Sequence, residues 1–174
     1  MKTFEQPRQL VDNPHFRRDR QVALANLARA RIDDPIRGIV AAFADLPCCF
    51  TLQSCYGHFV HVEHSPLENL EPLPAHDIGE VRYRIAYIAF CIENSPSGRH
   101  LLAALEMVPS IDPNFVQFGS PVWFWDRHLN SYALQVEPSR FQHRDEANVE
   151  YREALHIQQV RDLFFTGLSR ILEG

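Results

Sequence analysis

The chain has 174 residues, 45% hydrophobic and 22% charged, with a net charge of -5; this excludes a disordered or low-complexity chain and fits one globular domain with a real core. Four cysteines in this length are not the disulfide framework of a small secreted protein. No apolar run approaches the ~18 residues of a membrane span and the N-terminus lacks the apolar core of a signal peptide, so the expectation is a cytoplasmic protein with reduced thiols and no membrane contact.

Charge is unevenly spread. Residues 1–40 hold eight Lys/Arg against five Asp/Glu, whereas residues 41–80 hold six acids and no Lys or Arg. Only the first forty residues are net basic, a weak electrostatic footprint for RNA.

Three helix starts share one pattern, a small polar residue followed by proline. Asn13-Pro14 precedes "HFRRDRQVALANLARA", Asp34-Pro35 precedes "IRGIVAAFADL", and Ser95-Pro96 precedes "SGRHLLAALEMV". A polar cap oxygen accepts an orphan N–H, and proline lacks a donor that would go unused at that position. The first helix gathers Val22, Leu24, Ala25, Leu27 and Ala28 on an apolar side, and the second gathers Ile36, Ile39, Val40 and Phe43.

"CCFTLQS" and "HFVHVE" read as strands. Residues 65–80, with three prolines, read as a long Pro-rich loop of the kind that often carries function. "RYRIAYIAFCIE" reads as one long central strand, "NFVQFG" and "VWFWD" as short aromatic strands parted at Ser120-Pro121, and "SYALQVEP" as another strand. Residues 145–172 form an amphipathic C-terminal helix with Ile157, Val160, Phe164, Leu168 and Ile171 on its stripe. Helices and strands in this order predict a mixed α/β (α+β) single domain over residues 1–174, with helices packed on a mixed, largely antiparallel sheet.

The stretch "PCCFTLQSCYGHFVHVEH" concentrates three of the four cysteines and three of the nine histidines. Zinc takes Cys sulfur and His nitrogen. On a strand, however, His58 and His64 share a face while His61 points the other way, and the adjacent Cys48 and Cys49 diverge. The spacing therefore assigns no metal ligands; a Cys/His metal protein using Cys55 and two histidines stays open as an alternative. Cys49 and Cys55 are separated by roughly 20 Å of extended chain, so no disulfide joins them. Cys48 and Cys91 read as core thiols.

"SCYGH" is the chemically suggestive part. Gly57 permits a turn with positive φ, and the backbone N–H groups of 55–57 suit an anion. Ser54 and Cys55 read as ligand contacts or nucleophiles and His58 as a base or phosphate contact; the same residues read equally well as a hairpin turn at Tyr56-Gly57. "FWDRHLNSY" reads either as an aromatic wall for a base, with Trp125 beside Arg127, or as core aromatics followed by a turn. No G-x-G-x-x-G, P-loop or G-x-S-x-G is present.

"DDPIRGIVAAFADLPCCFTLQSCYGHFVHV" resembles the N-terminal signature of the tRNA wybutosine-synthesising protein 3 family. Asp34, Ile36, Ile39 and Val40 match its helix, and Phe50, Thr51, Ser54, Cys55 and Gly57 match its strand and turn. "FVQFGSPVWFWDRHLNSYALQ" is similar in rhythm to a later segment, through Phe115, Phe118, Pro121, Val122 and Phe124. The chain departs from the pattern at His58, where the family has arginine; at Gln53, where it has a first serine; and at Gln117, where it has lysine, with no acid before Pro121.

The resemblance implies methyl transfer from S-adenosylmethionine to a modified guanosine of tRNA, or binding of a related nucleoside-like ligand. Ser54, Cys55 and His58 would be the catalytic positions, and Tyr56, Gly57, Trp123 and Trp125 the cofactor-binding ones. The alternative it leaves is a module that keeps the fold and binds a ligand or protein without catalysis.

Overall fold

Alternating apolar residues build two antiparallel sheets whose strands run on from one sheet into the other. The computed structural model describes residues 6–62, 70–141 and 144–173. Helices α1 (Phe16–Leu27) and α2 (Arg37–Asp45) come first, α2 led in by a 3-10 turn at Asp34–Ile36. Strands β1 (Cys49–Cys55), β2 (His58–His61), β3 (Glu80–Arg84) and β4 (Ala86–Ile92) follow. Then come α3 (Pro96–Leu105), β5 (Val116–Gly119), α4 (Val122–Trp125), β6 (Ser131–Val136), β7 (Glu146–Glu150) and α5 (Tyr151–Glu173). One sheet has the order β1-β4-β6-β5 and the other β2-β3-β7, every pair antiparallel. Residues of both sheets share one core with α2, α3 and α5, the mixed α/β single domain that the sequence predicts.

Five local expectations are corrected. "VWFWD" is a helical turn: Pro121, at φ -60°, starts it, and the Trp125 N–H returns to the Pro121 carbonyl. Residues 146–150 are a strand, in which buried Ala147 and Val149 alternate with exposed acids and Asn148, so the last helix begins only at Tyr151. "RYRIAYIAFCIE" is two strands parted at Ile85. Helix α1 buries only Phe16 and leaves Val22 exposed. Of the three polar caps, only Ser95 closes on its helix, accepting the Gly98 N–H at 3.1 Å.

The long-loop expectation falls partly on residues 63–69, outside those described. From Leu70 onward the chain packs back: the Leu70 N–H donates to the Phe59 carbonyl at 2.8 Å and Leu73 is buried. Among the described residues no helix is long and apolar enough to cross a membrane.

The core side of the four-stranded sheet carries Ile88, Phe90 and Ile92 of β4 and Tyr132, Leu134 and Val136 of β6. Against it lie Ile157, Val160, Phe164 and Leu168 of α5 and Ile39, Val40 and Phe43 of α2. Period-two alternation puts Tyr87, Ala89 and Cys91 on the opposite face, with Ser131, Ala133 and Gln135. Phe16 and Phe50 cover that face beside Cys91.

The two sheets meet along a seam. Between β1 and β2 stand only Tyr56 and Gly57, and between β3 and β4 only Ile85. β6 and β7 part over residues 137–145, beside the same line. Gly57 sits at φ +84°, and a Cβ there would lie 2.7 Å from the Ala86 Cβ, so the close approach of the bends excludes any side chain. The buried Tyr83 hydroxyl closes the break, donating to the Val136 carbonyl and accepting the Ala86 N–H, both at 2.8 Å.

Arg161 of α5 locks the seam from the core side. It is 1% exposed, and its guanidinium lies 4.0 Å over the Tyr56 ring. It donates to the Gly57 carbonyl at 2.9 Å and to both Glu71 oxygens, at 2.5 and 3.1 Å. Burial alone would pull its pKa down, but the Glu71 carboxylate outweighs that and the group stays charged. Replacing Arg161 by Met fills the volume and strands Glu71 and the Gly57 carbonyl. The expected loss is about 3 kcal/mol in urea unfolding, and a loss under about 1 kcal/mol would show that the seam does not depend on the charge.

Candidate functional site

The 54–58 turn is built inward rather than outward. The Tyr56 N–H donates to Asp33 Oδ2 at 2.8 Å, and the Gly57 N–H to Cys55 Sγ at 3.4 Å. The anion cradle expected here therefore already holds a carboxylate of the chain itself. The Tyr56 ring is stacked on Phe165 with its centroid 5.4 Å away, and its hydroxyl meets Asp162 Oδ1 at 3.2 Å. Tyr56 and Gly57, expected as cofactor contacts, are engaged within the fold.

Cys55 and His58 come together around Asp33. His58 Nε2 lies 3.5 Å from Asp33 Oδ2, and the sulfur, the imidazole nitrogen and the carboxylate oxygen all lie within 4.8 Å of one another. Burial pushes the Cys55 thiol up; the Gly57 N–H opposes this and the Asp33 carboxylate adds to it. A thiol held protonated is a poor nucleophile. Ser54, the third catalytic candidate, is separated from this cluster: it lines another cleft, between α1 and β1, with Val22, Asn26 and Tyr87.

Cys55 also borders a groove of about 730 Å³ on the open sheet face, within the size range of small-molecule sites. Tyr87, Trp123, Gln135, Glu137 and Arg144 line it with Cys55. Trp123 is half exposed, with the Arg127 guanidinium 4.2 Å from its ring centroid. Trp125 is not on the groove. Its ring stands edge-on to Tyr132 at 5.9 Å, with the Arg8 guanidinium 5.1 Å from its centroid, so it packs against the core instead of offering a stacking face.

Glu137 is the group the sequence reading missed. It is 1% exposed. Its backbone N–H donates to the Phe115 carbonyl at 2.7 Å, and its carbonyl accepts the Gln117 amide at 3.0 Å. Gln135 Nε2 donates to Oε2 at 2.6 Å, while Oε1 has no hydrogen-bond partner among the described residues. Burial pushes the carboxyl up to about 8, against the Arg144 backbone N–H and the Gln135 amide, so near neutral pH it is mainly the acid. A buried acid with a free oxygen, facing an aromatic wall, can exchange hydrogen bonds with a ligand's N–H, hydroxyl or ring nitrogen.

The signals for the missed residues were present. Ser131, Gln135 and Glu137 repeat at even spacing on a strand whose other face is apolar, and Arg161 interrupts the apolar stripe of the last helix. Asp33 stood beside the Asp34 taken as a cap and carried no signal of its own.

The sign of the Glu137 linkage follows from its raised pKa. From about 4.5, where the unfolded group ionises, to about 8, where the folded one does, the folded state holds the extra proton. The contribution of this group to stability therefore falls as pH rises through that window and levels off above it. Urea unfolding is expected to show this decline in the wild type and a flatter profile in Glu137→Gln; parallel profiles would contradict the assignment.

No protein-family model and no curated protein matches the chain. Among solved structures, the chain is similar to the PH1069 protein from Pyrococcus horikoshii at 13% identity and a TM-score of 0.48, covering 91% of this chain and 95% of that one. A second structure of the PH1069 protein, from Pyrococcus horikoshii OT3, gives 15% identity and a TM-score of 0.48, covering 92% and 93%. A hypothetical protein from Aeropyrum pernix gives 12% identity and a TM-score of 0.41, covering 81% of this chain and 95% of that one.

Proposed function

We propose that the protein binds a nucleoside-like ligand in the groove at the seam and, as the resemblance to the wybutosine-synthesising protein 3 family implies, methylates a modified guanosine of tRNA with S-adenosylmethionine in a cytoplasmic setting. The observation that carries the reading is Glu137, a fully buried carboxyl with an unpartnered oxygen in an aromatic-walled groove. An unsatisfied buried oxygen is costly unless a ligand completes it.

The lining fits such a cofactor. Glu137 and Gln135 offer partners to hydroxyl or amino groups, Trp123 offers a ring face to adenine, and Arg144 offers a cation to a carboxylate. When bound, the cofactor would supply an electrophilic methyl group. The chain's own part is positioning: the rigid sheet fixes Gln135 and Glu137, and the protonated Glu137 holds a base by donating to its ring nitrogen or carbonyl. With Cys55 kept as a thiol, covalent catalysis has no support in this site.

A non-catalytic binding module is the second reading. It is favoured by the turn, whose amide groups are already taken by Asp33 and Cys55.

Calorimetric titration of the purified protein with S-adenosylmethionine separates the two. The methyl-transfer reading expects saturable micromolar binding, weakened about tenfold by Trp123→Ala, a half-exposed position whose loss leaves the core intact. No binding by the folded protein would overturn it in favour of the second reading.

A further inference from the structure

We propose that Asp33, Cys55 and His58 form a binding site for a zinc-class divalent cation, with a fourth coordination position for water or a ligand group. This goes beyond the nucleoside-groove reading and does not rest on it; Cys55 alone borders both places.

The geometry is close to what a tetrahedral ion needs. The three donor atoms already lie within 4.8 Å of one another, and Asp33 Oδ2 and His58 Nε2 are 3.5 Å apart. Nitrogen, sulfur and oxygen ligands of a tetrahedral zinc ion, bound at about 2.0–2.3 Å, stand roughly 3.3–3.8 Å from each other. A small closure of the Cys55 and His58 rotamers brings all three into range.

Backbone groups around the donors are arranged as supports for ligands. The Gly57 N–H points at the Cys55 sulfur, where it would disperse thiolate charge, and the Tyr56 N–H fixes the Asp33 carboxylate. Asp33 immediately precedes the 3-10 turn, Cys55 ends β1 and His58 begins β2, so each donor is set by a regular element. Arg161 and Gly57 fix the bend that brings the two strand ends together.

The donor set selects the ion. One sulfur, one imidazole nitrogen and one carboxylate suit zinc and cobalt, whereas magnesium and calcium favour oxygen alone. A Cys–His nucleophilic pair explains the cluster less well, since Asp33 lies against both groups and helps keep the thiol protonated. A cation balances that carboxylate and takes the place of the thiol proton, which is released to solvent. Arg84, the neighbouring base, is drawn to Glu146 at 3.4 Å.

The test is spectroscopic titration of the untagged, reduced protein with cobalt(II). The proposal expects equimolar binding with a near-ultraviolet thiolate-to-cobalt charge-transfer band and intense tetrahedral d–d absorption, both abolished by added zinc. Cys55→Ser should remove the charge-transfer band. Asp33→Asn, which keeps an acceptor for the Tyr56 N–H, and His58→Ala should each weaken binding at least about tenfold, with far-ultraviolet circular dichroism confirming the fold. No charge-transfer band from the folded, reduced wild type would overturn the proposal. A band that survives Cys55→Ser would also overturn it, assigning the ion to another thiol.

Discussion

A single buried guanidinium ties the last helix to the bend between the two sheets. Arg161 reaches from the last helix through the core, lies on the Tyr56 ring and binds the Gly57 carbonyl. The Glu71 carboxylate beyond it compensates its charge and ties the segment before β3 to the same point. A cation in a hydrophobic interior is tolerated only with such partners. Without it, the carbonyl of a positive-φ glycine would be buried with no donor at the place where both long strands change direction. Gly57 and Tyr83 complete the bend, one by lacking a side chain that would strike Ala86, the other by lending a hydroxyl to the interrupted ladder.

The chemistry of the molecule collects where the regular structure breaks. At a strand break, polar groups leave the ladder and side chains splay to both sides of the sheet. At the end of β1 this gives the Asp33–Cys55–His58 cluster, and on the open sheet face the groove that Glu137 lines, with Cys55 bordering both. Glu137 sits one residue past the end of β6 with its main chain fixed by Phe115 and Gln117, so its side chain is placed by the sheet itself. Rigid placement of a protonated buried carboxyl is costly to stability, which favours a role in binding over one in folding.

Much of the fold was legible because periodicity reports burial. The three-and-four spacing of Ile157, Val160, Phe164 and Leu168 named the face of the last helix that the structure buries. Propensity misled where local geometry overruled it. Four aromatic and β-branched residues after Pro121 looked like a strand, but Pro121 had already turned the chain into a helical path. The site was legible only in part. Cys55 and His58 lie three residues apart and were singled out; Asp33, which joins them, is 22 residues before Cys55 and meets it only through the packing of α2 on β1. Ser54 was placed in the same site by sequence adjacency, yet it opens onto another cleft, shared with residues 50–53 and helix α1.

The proposed ligand site is the groove beside the seam, lined by Trp123 and Glu137. Amide hydrogen exchange, compared with and without saturating S-adenosylmethionine, tests it most directly. Slowed exchange is expected at residues 84–87, 121–124 and 133–137, segments that line the groove. Protection confined to residues 19–32, along the cleft between α1 and β1, would put the ligand on the wrong side of Tyr87 and contradict it.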